Sequence, residues 1–273
     1  LSLYTSLNCC KTRLRSKSIC ALTQFFKARV ASIKRALNVS CLLCYQASPT
    51  PVCQWCEDDI FSFDTRKYKE NLLSFGLISR HVRHCRYQRL CVYGLYTPPL
   101  SSLIHLMKFR HSLTASQEIG RLFVDKWQQH TGPKPDLLLP VPLGARRFAQ
   151  RQFNQSAVLA LYIGRKLGIP VYQHWAIRQT DTAQHLLDKQ ARYVNAKHSY
   201  ALTKHGIDGY VSEPSAVLRV AIVDDVITTG ITVDRLAGLL SARYPHLNIE
   251  IWAVAFTPPP KSHLLNAENG IGK

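Results

Sequence analysis

Val220-Ala-Ile-Val-Asp-Asp-Val-Ile-Thr-Thr-Gly-Ile-Thr232 is the stretch on which the fold turns. The run Arg219–Asp224 is apolar enough to read as a strand buried on both faces, which is the habit of parallel sheets. Such a strand delivers Asp224 and Asp225 to its carboxyl end, where open α/β sheets bind ligands. A loop of Thr228, Thr229, Gly230, Ile231 and Thr232 follows and leads into a helix over Thr232–Arg243. Backbone N–H groups at a helix start can cradle an anion, and threonine hydroxyls add donors. Glycine lets the backbone come close to a ligand with no Cβ in the way.

Working outward, the chain alternates helix and strand. Asp136–Pro142 reads as a short buried strand that its prolines end. Asn154 is placed to cap a helix carrying Ala157, Val158, Leu161 and Leu167, with Gly168 ending it. Leu100, Leu103, Ile104 and Met107 share one helical face after Thr97-Pro-Pro. Thr114-Ala-Ser-Gln117 has the form of a capping box ahead of Ile119, Leu122, Phe123 and Trp127. Asn248–Phe256 reads as a last strand, stopped by Pro258-Pro-Pro260. The whole argues for a parallel sheet covered by helices on both faces. No repeat or low-complexity tract interrupts it.

Composition narrows the classes. The 273 residues carry 35 basic and 17 acidic side chains, a formal charge of +18, with 46% hydrophobic residues. That hydrophobic share excludes wholesale disorder, and no run of about 18 apolar residues is present to span a bilayer as a helix. Residues 1–40 hold eight basic side chains and no acid, leaving +10 for residues 41–273. Three readings fit this extension: a basic amphipathic helix, a transit peptide, and a segment upstream of the functional start. The surplus beyond it suits a polyanionic partner.

Four of the nine cysteines form two pairs, Cys41-Leu-Leu-Cys44 and Cys53-Gln-Trp-Cys56, eight residues apart. Two C-x-x-C knuckles this close can place four thiolates around one ion, the donor set of a structural zinc site with no open position for catalysis. Cys85, Cys91, His81 and His84 have irregular spacing, and no metal is expected there.

Two carboxylates beside an anion cradle would repel a bare polyphosphate but suit a sugar phosphate, whose hydroxyls donate to carboxylates. On these residues the chain resembles the type I phosphoribosyltransferases. A Walker B strand is the competing reading, but no G-x-x-x-x-G-K-[ST] accompanies it. Leu139–Arg147 with Arg151–Gln155, Leu103–Arg110, Thr182–Leu187 and Arg192–Asn195 are similar to segments of the ComF/GntX family. With the cysteine knuckles, this resemblance runs over residues 41–257. Gln152 departs from it, standing where the family has glycine, and Asn71–Tyr96 is less regular than in many relatives.

The resemblance implies an α/β fold: a type I phosphoribosyltransferase-like parallel sheet flanked by helices, with a small N-terminal four-cysteine zinc knuckle. The division is then a basic extension (1–40), a zinc module (41–60), a connecting region (61–95), the sheet domain (96–258) and a tail (259–273). It implies binding of 5-phosphoribosyl-1-pyrophosphate (PRPP) or a ribose phosphate, in cytoplasmic DNA uptake, competence or use of DNA as nutrient. Asp224 and Asp225 would meet the ribose and the hydration shell of a Mg²⁺ arriving with PRPP. Thr228–Thr232 would take the 5′-phosphate. Val141, Pro142, Leu143, Arg146, Arg147 and Arg151 would meet pyrophosphate, and Gln184 and Arg192 would belong to a hood over the site. Two classes stay open: an active phosphoribosyltransferase, or a non-catalytic module binding nucleotide or single-stranded DNA beside a competence helicase or another DNA-uptake protein.

Overall fold

The computed structural model describes residues 39–64, 71–179, 199–211 and 218–258. The chain divides between Gln54 and Trp55 into two compact units. In the first, β1 (Val39–Ser40) and β2 (Ala47–Ser48) pair antiparallel. The Cys41 and Leu42 amides donate to Gln46 O and Pro51 O at 2.8 Å each, which folds residues 41–53 into a tight double loop. A five-residue helix, α1 (Gln54–Asp58), follows.

The second unit is built on four parallel strands in the order β3 (Arg89–Leu95), β8 (Asn248–Phe256), β7 (Arg219–Ile227), β4 (Leu137–Pro140). Alternate residues of these strands point to opposite faces. Leu90, Val92, Leu137, Leu139, Val220, Ile222, Ile249 and Ile251 join one apolar cluster with Leu236 and Leu240 of α7 (Ile231–Arg243). On the other face Trp252 stacks on Phe123 and Trp127 of α4 (Leu113–Trp127), at 5.4 and 4.2 Å between ring centroids. Each fully buried side chain of this kind contributes roughly 1.5–3 kcal/mol relative to exposure. The sheet domain is thus a parallel sheet flanked by helices.

Four further elements frame the carboxyl end of the sheet. They are α3 (Leu100–Phe109), α5 (Ala145–Arg151), α6 (Gln155–Leu167) and a ribbon of β5 (Ala176–Arg178) with β6 (Tyr200–Leu202). A single turn, α2 (Gly76–Ser79), precedes β3. All four apolar residues named on the α3 face are buried, as are Ile119, Leu122, Phe123 and Trp127 of α4. Asn154 caps α6 by accepting from Ser156 N and Ala157 N, and Gly168 ends it in the left-handed conformation.

Several local expectations are corrected. Strand β7 runs through both aspartates to Ile227, because its pairing with β8 continues to Phe256. Strand β4 does end at a proline, Pro140, as expected, but it is shorter than Asp136–Pro142, leaving Asp136, Val141 and Pro142 outside it. The α4 cap is Ser112, whose hydroxyl accepts from Ala115 N at 3.1 Å, and Thr114 lies within the helix. Helix α6 buries Leu159, Ala160 and Ile163 and leaves Leu161 47% exposed. Ala157 and Leu167 of the expected face are buried, and the close approach lies at Gly164, where a Cβ would meet Ile169 O at 2.6 Å. Strand β3 and the β5–β6 ribbon are additions.

Candidate functional site

Two chain reversals at the carboxyl ends of β4 and β7 leave a cavity of about 570 Å³. Asp224, Asp225, Thr228 and Thr232 line it from the β7 side, and Val141, Pro142, Leu143, Arg147 and Arg151 from the β4 side. Of the expected group, Thr229, Ile231 and Arg146 are exposed and do not line it, and neither does the buried Gly230. Gln184 and Arg192 lie outside the described residues.

The two aspartates have separate partners. Asp224 accepts from Ser156 Oγ at 3.0 Å and from the Asp225 amide at 2.9 Å. Asp225 is 8% exposed and ion-paired with Lys108, Nζ to Oδ1 at 3.0 Å. Burial, together with the neighbouring Asp225 carboxylate, pushes Asp224 up to about 7, against the pull of its donors and Lys108. Near neutral pH the site therefore offers one salt-bridged carboxylate and one carboxyl poised between donor and acceptor.

The walls are held from behind. Asn154 Nδ2 donates to Val141 O at 2.9 Å while its Oδ1 caps α6, so one side chain ties the 141–143 turn to the helix bearing Ser156. Arg151 donates to Gln155 Oε1 at 3.1 Å, and the buried Gln155 Nε2 has no hydrogen-bond partner among the described residues. Gln152 adopts φ 58°, ψ −2°, a left-handed geometry suited to glycine, so the shape the family glycine would allow is kept by a residue that strains to hold it.

Gly230 also has positive φ, 70°, at the N-terminus of α7. A Cβ there would meet Val82 Cγ1 at 2.6 Å and Arg83 O at 2.8 Å. The glycine is thus required by its positive φ and by the segment packed behind the loop, a packing demand added to the expected freedom of ligand approach. Arg83 N donates to Thr229 O at 2.8 Å, and Asp234 of α7 accepts from Arg83 Nε and Arg86 N. Residues 82–86 therefore brace the threonine loop, a role their irregular sequence does not announce.

Lys108, Ser156, Arg178 and Tyr200 are among the other residues that line the cavity, and sequence reasoning does not single them out. Lys108 stands in the Leu103–Arg110 segment that carries the family resemblance, which is the available signal. Arg178 and Tyr200 lie on a ribbon too short to read.

The cysteines form the second site. One sulfur each of Cys41, Cys44, Cys53 and Cys56 lie within 4.8 Å of one another, and Cys44 Sγ and Cys53 Sγ are 3.7 Å apart. Zinc–sulfur bonds of about 2.3 Å in a tetrahedron put sulfurs about 3.8 Å apart, so the donor set and spacing fit a zinc knuckle. Burial would raise the Cys41 thiol, but N–H groups of Cys44, Cys53 and Leu43 aimed at its sulfur outweigh it and bring it down to about 6. A thiolate is the form a metal needs.

No protein-family model matches the chain. Among curated proteins it is 35% identical to the DNA utilization protein YhgH of Salmonella typhi over 176 residues, 63% of this chain and 73% of that protein. It is 28% identical to Competence protein F of Haemophilus influenzae over 232 residues, covering 80% and 97%. Among solved structures it is similar to adenine phosphoribosyltransferase from Leishmania tarentolae, at 19% identity and TM-score 0.32, covering 62% and 69%. A Neisseria gonorrhoeae protein with bound ppGpp gives 13% identity and TM-score 0.33, covering 54% and 74%. Identity of this order across most of the curated relatives' length is what members of one family share, and the chain belongs to the ComF/GntX family.

Proposed function

We propose that this protein binds PRPP or a related ribose phosphate in the strand-end cavity and acts inside the cell in the uptake or use of DNA, as its relatives' names describe for them. The observation that carries the reading is the meeting of Asp224, Asp225, Thr228 and Thr232 with Arg147, Arg151 and Arg178 around one cavity. Acceptors for sugar hydroxyls stand at one wall and cations for phosphate oxygens at the other. Thr228 and Thr232 flank the start of α7, where the helix dipole favours a 5′-phosphate. Arg147 and Arg151 would neutralise a departing pyrophosphate, with the Val141–Leu143 turn supplying main-chain groups. Mg²⁺ bound to PRPP would add charge on the pyrophosphate oxygens. Zinc would hold the cysteine module together and take no part in the chemistry.

A second reading rests on α5. Its sequence Ala-Arg-Arg-Phe-Ala-Gln-Arg has three arginines and no acid, and Phe148 is 51% exposed. Cations beside an exposed ring suit single-stranded nucleic acid, which favours a module that holds a DNA end at the cavity. A pyrophosphate-release screen over the nucleobases with PRPP separates the two. Release with one base establishes a phosphoribosyltransferase; PRPP binding with no release for any base supports the module, and failure to bind PRPP or ribose 5-phosphate refutes the ribose-phosphate site.

A further inference from the structure

We propose that Lys108 is a built-in counter-cation for the acidic pair, so that the ribose subsite takes its sugar with no divalent metal seated on Asp224 or Asp225. The inference rests on the ribose-phosphate reading above and sharpens its chemistry. Helix α3 is fixed by a buried face of Leu100, Leu103, Ile104 and Met107, which sets Lys108 in its last turn beside the cavity. The pair is sheltered, with 15% of the Lys108 side chain and 12% of the Asp225 side chain exposed, and its Nζ–Oδ1 distance is 3.0 Å.

Asp224 is served separately, by Ser156 Oγ and the Asp225 amide, both on Oδ1. No donor among the described residues reaches the second oxygen of either carboxylate, so those oxygens are the ones left for sugar hydroxyls. A metal ion on Asp225 would have to evict an ammonium from a sheltered site or sit beside it against its charge. Low local dielectric makes both arrangements unfavourable. A Mg²⁺ held by the carboxylates does not fit this geometry, whereas a Mg²⁺ carried on pyrophosphate does not compete with Lys108.

Ribose 5-phosphate is the discriminating probe, since it lacks the pyrophosphate that would bring its own metal. Its affinity for the full-length wild-type chain is measured by calorimetry in EDTA and in millimolar Mg²⁺. The two values should agree within about twofold. Lys108→Met should weaken binding by about tenfold or more in EDTA, because it leaves a buried carboxylate unpaired, and Mg²⁺ should restore most of the loss. Lys108→Arg should stay metal-independent. Wild-type binding that requires Mg²⁺ overturns the inference without any variant, and so does Lys108→Met protein that binds as tightly as wild type in EDTA. A wild-type chain that binds no ribose 5-phosphate in either condition overturns the ribose-phosphate reading itself, and the inference with it.

Discussion

Asp224 carries the clearest consequence of single-residue chemistry. Its carboxyl is held up at about 7, against an ordinary value of 3.8. A carboxyl raised by folding binds its proton more tightly in the native state, so its contribution to stability is complete below the unfolded value and is lost as pH rises through 7. Asp224→Asn should therefore match wild type in thermal melts near pH 4 and exceed it near pH 8, by on the order of 2 kcal/mol after allowance for solvent screening. A stability difference that does not change with pH would contradict this. Gln152 offers a second test. A non-glycine residue in left-handed geometry costs about 1 kcal/mol, and Gln152→Gly should recover that much in a denaturant titration. Gly230→Val should do the opposite and unfold the threonine loop, because its Cβ runs into Val82 and the Arg83 carbonyl.

At the scale of elements, legibility follows burial pattern. The strands at β7 and β8 are readable because each is a nearly unbroken apolar run ended by charge or proline, and β8 falls at Asn248–Phe256 as expected. Strand β3 escapes because Arg89 opens it and Gly94 interrupts the short apolar run Leu90–Tyr93; its identity comes from pairing with β8. The cap of α4 lies two residues before the expected one, since Ser112 and Thr114 are both good caps and only tertiary packing chooses. Aspartates 224 and 225 and the threonine loop are legible from local sequence. Lys108, Arg178 and the Arg83 brace are not, because they reach the site across the fold from elements far away in the chain. The cysteine element is readable from spacing alone, and it yields its own prediction. Purified protein should carry about one zinc per chain, and Cys44→Ser should abolish it while the sheet domain keeps its cooperative melt. Metal-free protein with an unaltered melting profile would exclude the knuckle as a metal centre.

For the whole molecule, the net charge of +18 sets the expected response to salt. If α5 and its arginines contact a nucleic acid backbone, affinity for single-stranded DNA should fall steeply as salt rises, with little sequence preference. Arg146→Ala should flatten that dependence without touching the cavity, from which Arg146 is absent. Charge alone describes a polyanion binder, while the proposed sugar-phosphate binding belongs to the cavity, and the two are separable by mutation. The cavity is tested most directly by calorimetric titration of PRPP into wild-type and Asp225→Asn protein. Saturable binding by wild type, weakened about tenfold or more by a substitution that removes the charge opposite Lys108 in protein that still melts cooperatively, is the expected result. Absence of PRPP binding, or equal affinity in both proteins, would contradict a ribose-phosphate site at the end of β7.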